Sequence, residues 1–295
     1  MTAQLPLSAA IAACDRPAGV VRCLGALVAG EALPAEVIVV DQSRDNAVED
    51  ALASFPSGPV PVRHIRMSRR GLSASRNAAL GSAAQSLIAF TDDDCVPDSR
   101  WIATVFGVLE ADPELAAVTG RVLPLGEERP GTFVVSPRTS AEGREYSGRA
   151  VPWTVGTGGN FAARRAWLDR VGGFDERLGA GSPGRAAEDS DLLYRLLRAG
   201  GRVRYDPGSV VLHERQTAAQ RLASRQGYGH GIGALCGLYL RRGDIYAGRM
   251  LGGYLVDQAR GLARSAVRGD WFMARQRLGA LRGCAAGIRY GLGLS

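Results

Sequence analysis

Ser86-Leu87-Ile88-Ala89-Phe90-Thr91-Asp92-Asp93-Asp94 joins an uninterrupted apolar run to three consecutive carboxylates. Such a run reads as a strand buried on both faces of a parallel sheet, with the acids marking its carboxyl end. The same pattern recurs upstream. Ser8 to Ala13 is a first short apolar run, Glu36 to Val40 (EVIVV) is a second that ends at Asp41, and Val60 to Met67 is a third. Between them lie helical spacings: Val20, Val21, Leu24 and Leu27 within Pro17 through Ala29, a short segment over Asp45 to Ala53, and the Ala-rich Ser73 to Ala84, with Ser73 placed as its cap. Strand alternating with helix defines an α/β fold, and in such sheets ligands bind beyond the carboxyl ends of the strands. Asp41 and the Asp92 to Asp94 run stand at those ends.

Downstream, Trp101 to Leu109 reads as a helix and Ala117 to Leu123 as a strand, followed by an irregular insert near the substrate over residues 124–152. Ala162 to Val171 reads as a helix closed by Gly172-Gly173. Glu188 to Ala199 is the clearest amphipathic helix, ended by Gly200-Gly201. Val203 to Tyr205 and Ser209 to Leu212 read as short strands. Beyond His213 the pattern is mostly helical, with breaks near Gly243-Asp244 and Gly269-Asp270. The expected division is a catalytic α/β unit over 1–215, with a nucleotide-binding half to about residue 120, and a basic, amphipathic, helical region over 216–295.

Three adjacent carboxylates raise one another's pKa unless something neutralises them. A divalent cation does so, and hard oxygen ligands suit Mn²⁺ or Mg²⁺. Phe90-Thr91-Asp92-Asp93-Asp94-Cys95-Val96-Pro97 resembles the DxD region of the GT-A glycosyltransferases, specifically the inverting family 2. Around it stands an ordered set of further likenesses: Asp41 after EVIVV; Gly71 to Asn77; Gly156-Thr157-Gly158-Gly159-Asn160; Val171-Gly172-Gly173-Phe174-Asp175-Glu176; Glu188-Asp189-Ser190-Asp191; and His213-Glu214-Arg215. The resemblance covers about residues 7–215. It implies a GT-A fold with a helical C-terminal extension, and a metal-dependent transfer of sugar from a nucleotide-diphosphate sugar to an acceptor hydroxyl with inversion.

Carried over residue by residue, the resemblance puts Asp92 on the nucleotide ribose, Asp93 at the variable middle position, Asp94 on the metal with His213 as second ligand, and Asp41 on the base or ribose. Arg76 has the best position for the phosphates, ahead of Arg215 and Arg225, because a guanidinium fork suits them. Asp189 is the expected general base and Glu188 its neighbour toward the acceptor, since a partly desolvated carboxylate can accept the acceptor's proton near neutral pH. Trp153, Gly159, Asn160, Asp191 and His230 fall on the acceptor side. His64 reads as structural. The segment 178–187 reads as a mobile lid that excludes water.

The chain departs from the family where Ala12-Ala13-Cys14 replaces a Pro-Thr-Tyr-like triplet, with Asp15 and Arg16 following. Ala13, Asp15 and Arg16 then face the donor with no aromatic or hydroxyl contact from the triplet, and uridine, deoxythymidine and guanosine all stay open. A nucleotidyltransferase would also use an α/β sheet with acidic metal ligands, but it would carry a Gly-rich, lysine-bearing activation segment, and Ala12 to Gly19 has no lysine. A non-catalytic nucleotide-sugar-binding protein on the same fold would have lost Asp94 or Asp189, and both are present.

The chain has 295 residues, 46% of them hydrophobic, which excludes a mainly disordered protein. Its net charge of +7 is uneven: twelve arginines against three aspartates from Gln216 onward give +9, leaving −2 for residues 1–215. The arginines alternate with Leu251, Tyr254, Leu255, Ala259, Leu262 and Val267 at helical intervals, with Trp271, Phe272 and Leu278 beyond. This pattern suits a packed or surface-lying helix better than a nucleic-acid binder. The expected partners are therefore a small-molecule, lipid-linked or glycan acceptor, and for the tail a peripheral membrane contact, a homodimer interface or a lid over the acceptor site. Five cysteines without CxxC spacing read as reduced thiols, so the expected setting is cytoplasmic.

Overall fold

The computed structural model describes residues 2–68 and 70–294. Strand β1 (Ala3–Ala13) pairs in parallel with β2 (Ala32–Asp41), and β2 pairs in parallel with β3 (Val62–Arg66). On its other side β1 pairs in parallel with β4 (Leu87–Asp92). Helices α1 (Pro17–Val28), α2 (Ala47–Ala53) and α3 (Leu72–Ser82) make the crossovers. Pro17 opens α1, where its missing N–H costs no hydrogen bond. Register sets Ala13 against Asp41 and Ala12 against Asp92, so both acids leave the sheet at one edge.

The chain continues through β5 (Cys95–Pro97), α4 (Trp101–Ala111) and β6 (Leu115–Pro124). The 124–152 insert holds only two short strands, β7 (Thr132–Phe133) and β8 (Arg144–Tyr146). Then follow β9 (Phe161–Arg164), α5 (Arg165–Val171), α6 (Glu188–Arg198) and β10 (Arg202–His213). The spatial order is β3-β2-β1-β4-β9-β6-β10-β5, with β8 also on β10.

Three local expectations differ from the structure. Phe161–Arg164 is a strand, not the start of a helix. It lies antiparallel between β4 and β6, with Phe161 stacked on Phe90, and together with the antiparallel β5 and β8 it makes the sheet mixed. Its alanines favour helix alone, but pairing on both edges overrides that preference. The two short strands after Gly201 are one strand, with a slip in register between Asp206 and Val210. Ser73 does not cap α3. Gly71 takes that position at φ 101°, and Ser73 Oγ instead donates to the Leu178 carbonyl at 2.7 Å.

Apolar side chains fill both faces of the sheet. Val20, Leu24, Trp101 and Leu109 pack on one, and Ile38, Phe90, Phe161, Leu193 and Leu196 on the other. A third cluster, with Tyr194, Leu235, Tyr239 and Met250, fastens α6 to the C-terminal helices. After β11 (Gln216–Thr217) these are α7 (Ala218–Arg241), α8 (Ile245–Val267) and α9 (Trp271–Gly293), broken at the two expected places. Asp244 and Asp270 cap α8 and α9, accepting from the N–H groups of Tyr246 and Met273.

Helices α7 and α9 meet backbone to backbone. A Cβ built on Gly229 would lie 2.1 Å from the Ala280 carbonyl oxygen, and one on Gly287 would lie 1.9 Å from that of His230. Gly233, Gly237, Gly283 and Gly291 continue this seam at four-residue spacing. On α8 the buried positions are Ala247, Met250, Gln258 and Gly261, with Tyr254 half-buried among them, whereas the expected face included Ala259 and Val267, which are exposed. Helix geometry set the spacing correctly, but the buried stripe is rotated from the expected one and takes in the polar Gln258.

Candidate active site

At the carboxyl edge of the sheet lies a cavity of about 750 Å³. Its floor is the end of β1 (Ala12, Ala13, Cys14), Arg16 and the Asp92 to Asp94 run. One side is Gly156 to Gly159, Glu188 and Asp189. The opposite wall comes from the C-terminal helices.

Arg76 organises the acidic side. It is buried, and its two terminal nitrogens donate separately, to Asp92 Oδ1 at 2.8 Å and to Glu188 Oε1 at 2.9 Å. The guanidinium thus ties the end of β4 to the mouth of α6, reaching a carboxylate 112 residues further along the chain from Arg76. Two carboxylates hold its charge firmly despite burial, raising its pKa. The guanidinium that the sequence puts toward the phosphates clamps two acids, and it also lines the cavity. Gly158 belongs to the same construction, because a Cβ there would lie 2.3 Å from Arg76 Nη1.

The α6 mouth presents Asp189 in a fixed orientation. One carboxylate oxygen accepts from the Gly158 N–H at 2.9 Å, and the other accepts from the Ser190 N–H at 2.6 Å and from its hydroxyl at 3.2 Å. Glu188 beside it is buried, and burial together with the charge of Asp189 pushes its pKa up to about 7. Asp191 points the other way. It is 1% exposed, pairs with Arg195 and accepts from the Tyr239 hydroxyl at 2.8 Å, so it anchors α7 rather than facing an acceptor.

In the acidic run, Asp93 turns under β1 and accepts from the Cys14 N–H at 3.0 Å with Arg16 Nε 3.2 Å away. Burial pushes its pKa up to about 7. Asp94 is likewise raised by burial, with His213 opposing. His213 Nδ1 lies 2.8 Å from the Glu214 carbonyl, an acceptor only, so Nδ1 carries the proton. In the neutral imidazole this leaves the Nε2 lone pair facing Asp94 Oδ1 at 3.5 Å. Two Lewis bases aimed at each other suit a shared cation. The ligand atoms of Asp94, Cys95 and His213 lie within 4.8 Å of one another. Burial raises the Cys95 thiol well above its usual range, which leaves the oxygen and imidazole as the donor pair suited to Mn²⁺ or Mg²⁺.

Other expected site residues lie elsewhere. Asp41 does not line the cavity: it is fully buried, accepting from the Ser43 N–H at 2.8 Å and facing His64 and Arg66. Gln42, next in sequence, lines the cavity instead. Asp15 holds the Arg44 backbone and side chain. Asn160 is fully buried, accepting from Trp101 Nε1 and Ser209 Oγ and donating to the carbonyls of Arg121 and Ser209. Its four bonds pin three elements and leave nothing for an acceptor. His230 is buried outside the cavity against Tyr290. Arg16 lines the cavity, paired with Asp93 and Glu214. Gly159 and Trp153 line it. Segment 178–187 does not hang free. The Leu72 N–H donates to the Ala180 carbonyl at 2.8 Å, and Gly231 of α7 lies against Ala186.

Sequence reasoning named Arg225 only as a phosphate candidate, Tyr254 only as part of a helical face, and a lid over the acceptor site only as one fate of the tail; it missed the rest of the far wall, Arg138 from the insert, Tyr228 and Ile232 from α7, Asp257 and Gln258 from α8, and Arg277 from α9. The repeated four-residue glycine spacing in both tail segments was a usable signal that α7 and α9 pack together. Nothing in the sequence says that this pair faces the acids.

A mixed sheet flanked by helices, with an acidic cleft at its carboxyl edge, is the architecture of a GT-A glycosyltransferase. The model of Glycosyl transferase family 2 matches residues 8–172, and the chain belongs to that family. The pre-mycofactocin glycosyltransferase of Mycobacterium tuberculosis is 29% identical over 84% of this chain and 53% of its own. The chain thus spans about half the length of that relative. The glucosyl-dolichyl phosphate glucuronosyltransferase of Haloferax volcanii is 25% identical over 78% of this chain and 77% of its own. Among solved structures, the mannosyltransferase of Pyrobaculum calidifontis in complex with GDP-Man and Mn²⁺ shares the fold with a TM-score of 0.61, at 17% identity over 96% of this chain and 87% of that one. No helix among the described residues is long and apolar enough to cross a membrane.

Proposed function

We propose that the chain transfers a sugar from a nucleoside-diphosphate sugar to an acceptor hydroxyl, with inversion and with Asp189 as general base. The observation that carries this is the Arg76 clamp, which sets Asp92 and the Glu188-Asp189 pair on one cavity. Nucleoside and ribose would lie along Ala12 to Cys14 and Asp92, with the diphosphate toward Asp94 and His213. A bound Mn²⁺ or Mg²⁺ would supply Lewis-acid neutralisation of the departing diphosphate. The protein's own part is positional. Asp189, held by Gly158 and Ser190, takes the acceptor proton as the hydroxyl oxygen bonds to the anomeric carbon. The bond to the diphosphate breaks on the opposite face, the nucleoside diphosphate leaves with that electron pair, and the anomeric centre inverts. Glu188 keeps Arg76 oriented while remaining easily protonated.

Calorimetry with UDP-, dTDP- and GDP-sugars, with and without Mn²⁺, tests the donor half. One nucleotide class should bind, and Asp94→Ala or omission of the metal should weaken it at least tenfold. Absence of binding by all three would overturn the proposal.

A further inference from the structure

Acids and arginines share the cavity. Asp92, Asp93, Asp94, Glu188 and Asp189 stand with Arg16 and Arg76 at the sheet edge, and Arg138, Arg225 and Arg277 line the wall formed by the insert and the C-terminal helices, with Asp257 beside them. Arg277 is already neutralised, with Asp257 at 3.1 Å and a bond to Gln258 Oε1 at 3.0 Å. Arg138 donates to the Trp153 carbonyl. Arg225 differs. It is half-buried on α7, and among the described residues it has neither an ion pair nor a side-chain hydrogen bond. Burial, with the nearby charge of Arg277, lowers its pKa, and no carboxylate among the described residues pairs with it to offset that cost. The groups that act on its charge are Arg277, Tyr228 and Tyr254, not the acids of the donor side. Tyr254 stands edge-on to Trp153 at 6.1 Å, which provides an aromatic surface beside it.

We propose that this wall is an acceptor subsite for a molecule with an acidic group, a carboxylate or a phosphate, seated on Arg225, and with a flat or ring-shaped body against Tyr254, Trp153 and Tyr228. A guanidinium offers such oxyanions a forked pair of donors, and a partly desolvated one binds them more tightly than an exposed one. The proposal rests on the glycosyl-transfer reading in taking this wall as the acceptor's.

The test uses the full chain saturated with Mn²⁺ and whichever nucleoside diphosphate binds, which blocks the donor side. Phenyl phosphate, phenylacetate and neutral benzyl alcohol are titrated by ligand-observed NMR into the wild type, Arg225→Leu and Arg225→Lys. At least one acidic probe should bind tenfold or more tightly than benzyl alcohol. Arg225→Leu should abolish that advantage, Arg225→Lys should restore part of it, and nucleoside-diphosphate affinity should stay within twofold in both. The ratio of phenyl phosphate to phenylacetate identifies the acidic group. Equal binding of acidic and neutral probes, or an unchanged advantage in Arg225→Leu, would overturn the proposal. So would an equal loss of nucleoside diphosphate, which would make Arg225 a donor contact. If no nucleotide binds but phenyl phosphate still binds through Arg225, the transferase reading falls and the anion site stands.

Discussion

Replacing Gly287 by alanine tests the seam that holds the cavity's far wall in place. The added Cβ would lie 1.9 Å from the His230 carbonyl oxygen and 2.9 Å from the Ala234 nitrogen, all backbone atoms that cannot rotate away. A comfortable contact needs about 3.4 Å, so α9 must retreat by on the order of 1.5 Å. Gly229 on Ala280 and Gly283 on Gln226, each at 2.1 Å for a built Cβ, show that the whole seam would open with it. Overpacking costs about 1–3 kcal/mol, and a gap of about 1 Å forfeits up to about half of the dispersion at each separated contact. Alanine's better helix propensity returns about 1 kcal/mol. The overpacking cost less the propensity gain leaves a net loss of up to about 2 kcal/mol, to which the dispersion lost along the seam adds. Gly253→Ala is the control: it lies in the middle of α8 with nothing within 4 Å of its built Cβ, and should gain up to about 1 kcal/mol. For a chain of this length roughly 1.6 °C of melting temperature corresponds to 1 kcal/mol. Thermal melts should therefore move in opposite directions for the same chemical change. A Gly287→Ala protein as stable as the wild type would refute the backbone seam.

Asp189→Asn should cut sugar transfer by roughly 10²–10⁴-fold, the usual worth of a general base, while donor affinity measured by calorimetry stays within twofold; retained turnover would remove Asp189 from that role. Arg76→Met leaves Asp92 and Glu188 facing each other without a cation, and should cost about 3–5 kcal/mol by urea denaturation. Glu188 sets a pH dependence. Folded, it titrates at about 7, and unfolded at its ordinary 4.5, so between those values the native state keeps a proton that the unfolded chain releases. This group therefore lowers stability as pH rises through that window, by on the order of 3 kcal/mol in all. Glu188→Gln should flatten the stability change between pH 5 and pH 8 by that amount, and an unchanged slope would contradict the burial argument.

Much of the donor half was legible because its signals are local. EVIVV and SLIAF could only be buried strands, and the acids closing them had to leave the sheet at its carboxyl edge. The break points at Gly243-Asp244 and Gly269-Asp270 were equally local, since turn and cap chemistry resides in adjacent residues. Motif position was less informative about role. Asp41, Asn160 and Asp191 each occupy a motif place, yet each is engaged by residues tens of positions away (His64 and Arg66, Trp101 and Ser209, Tyr239), and only packing reveals which polar groups are already satisfied.

By itself the sequence determined the α/β alternation, the family, the acidic run and the Glu188-Asp189 pair, because periodicity and motif spacing act over a few residues. The tertiary structure alone decided that Phe161–Arg164 is a strand, that Arg76 clamps Asp92 to Glu188, and that the arginine-rich tail forms the cavity's far wall. Each depends on elements tens to hundreds of residues apart meeting in space. Strand pairing, ion pairing and a glycine seam are energies of juxtaposition, and no local stretch of chain carries them.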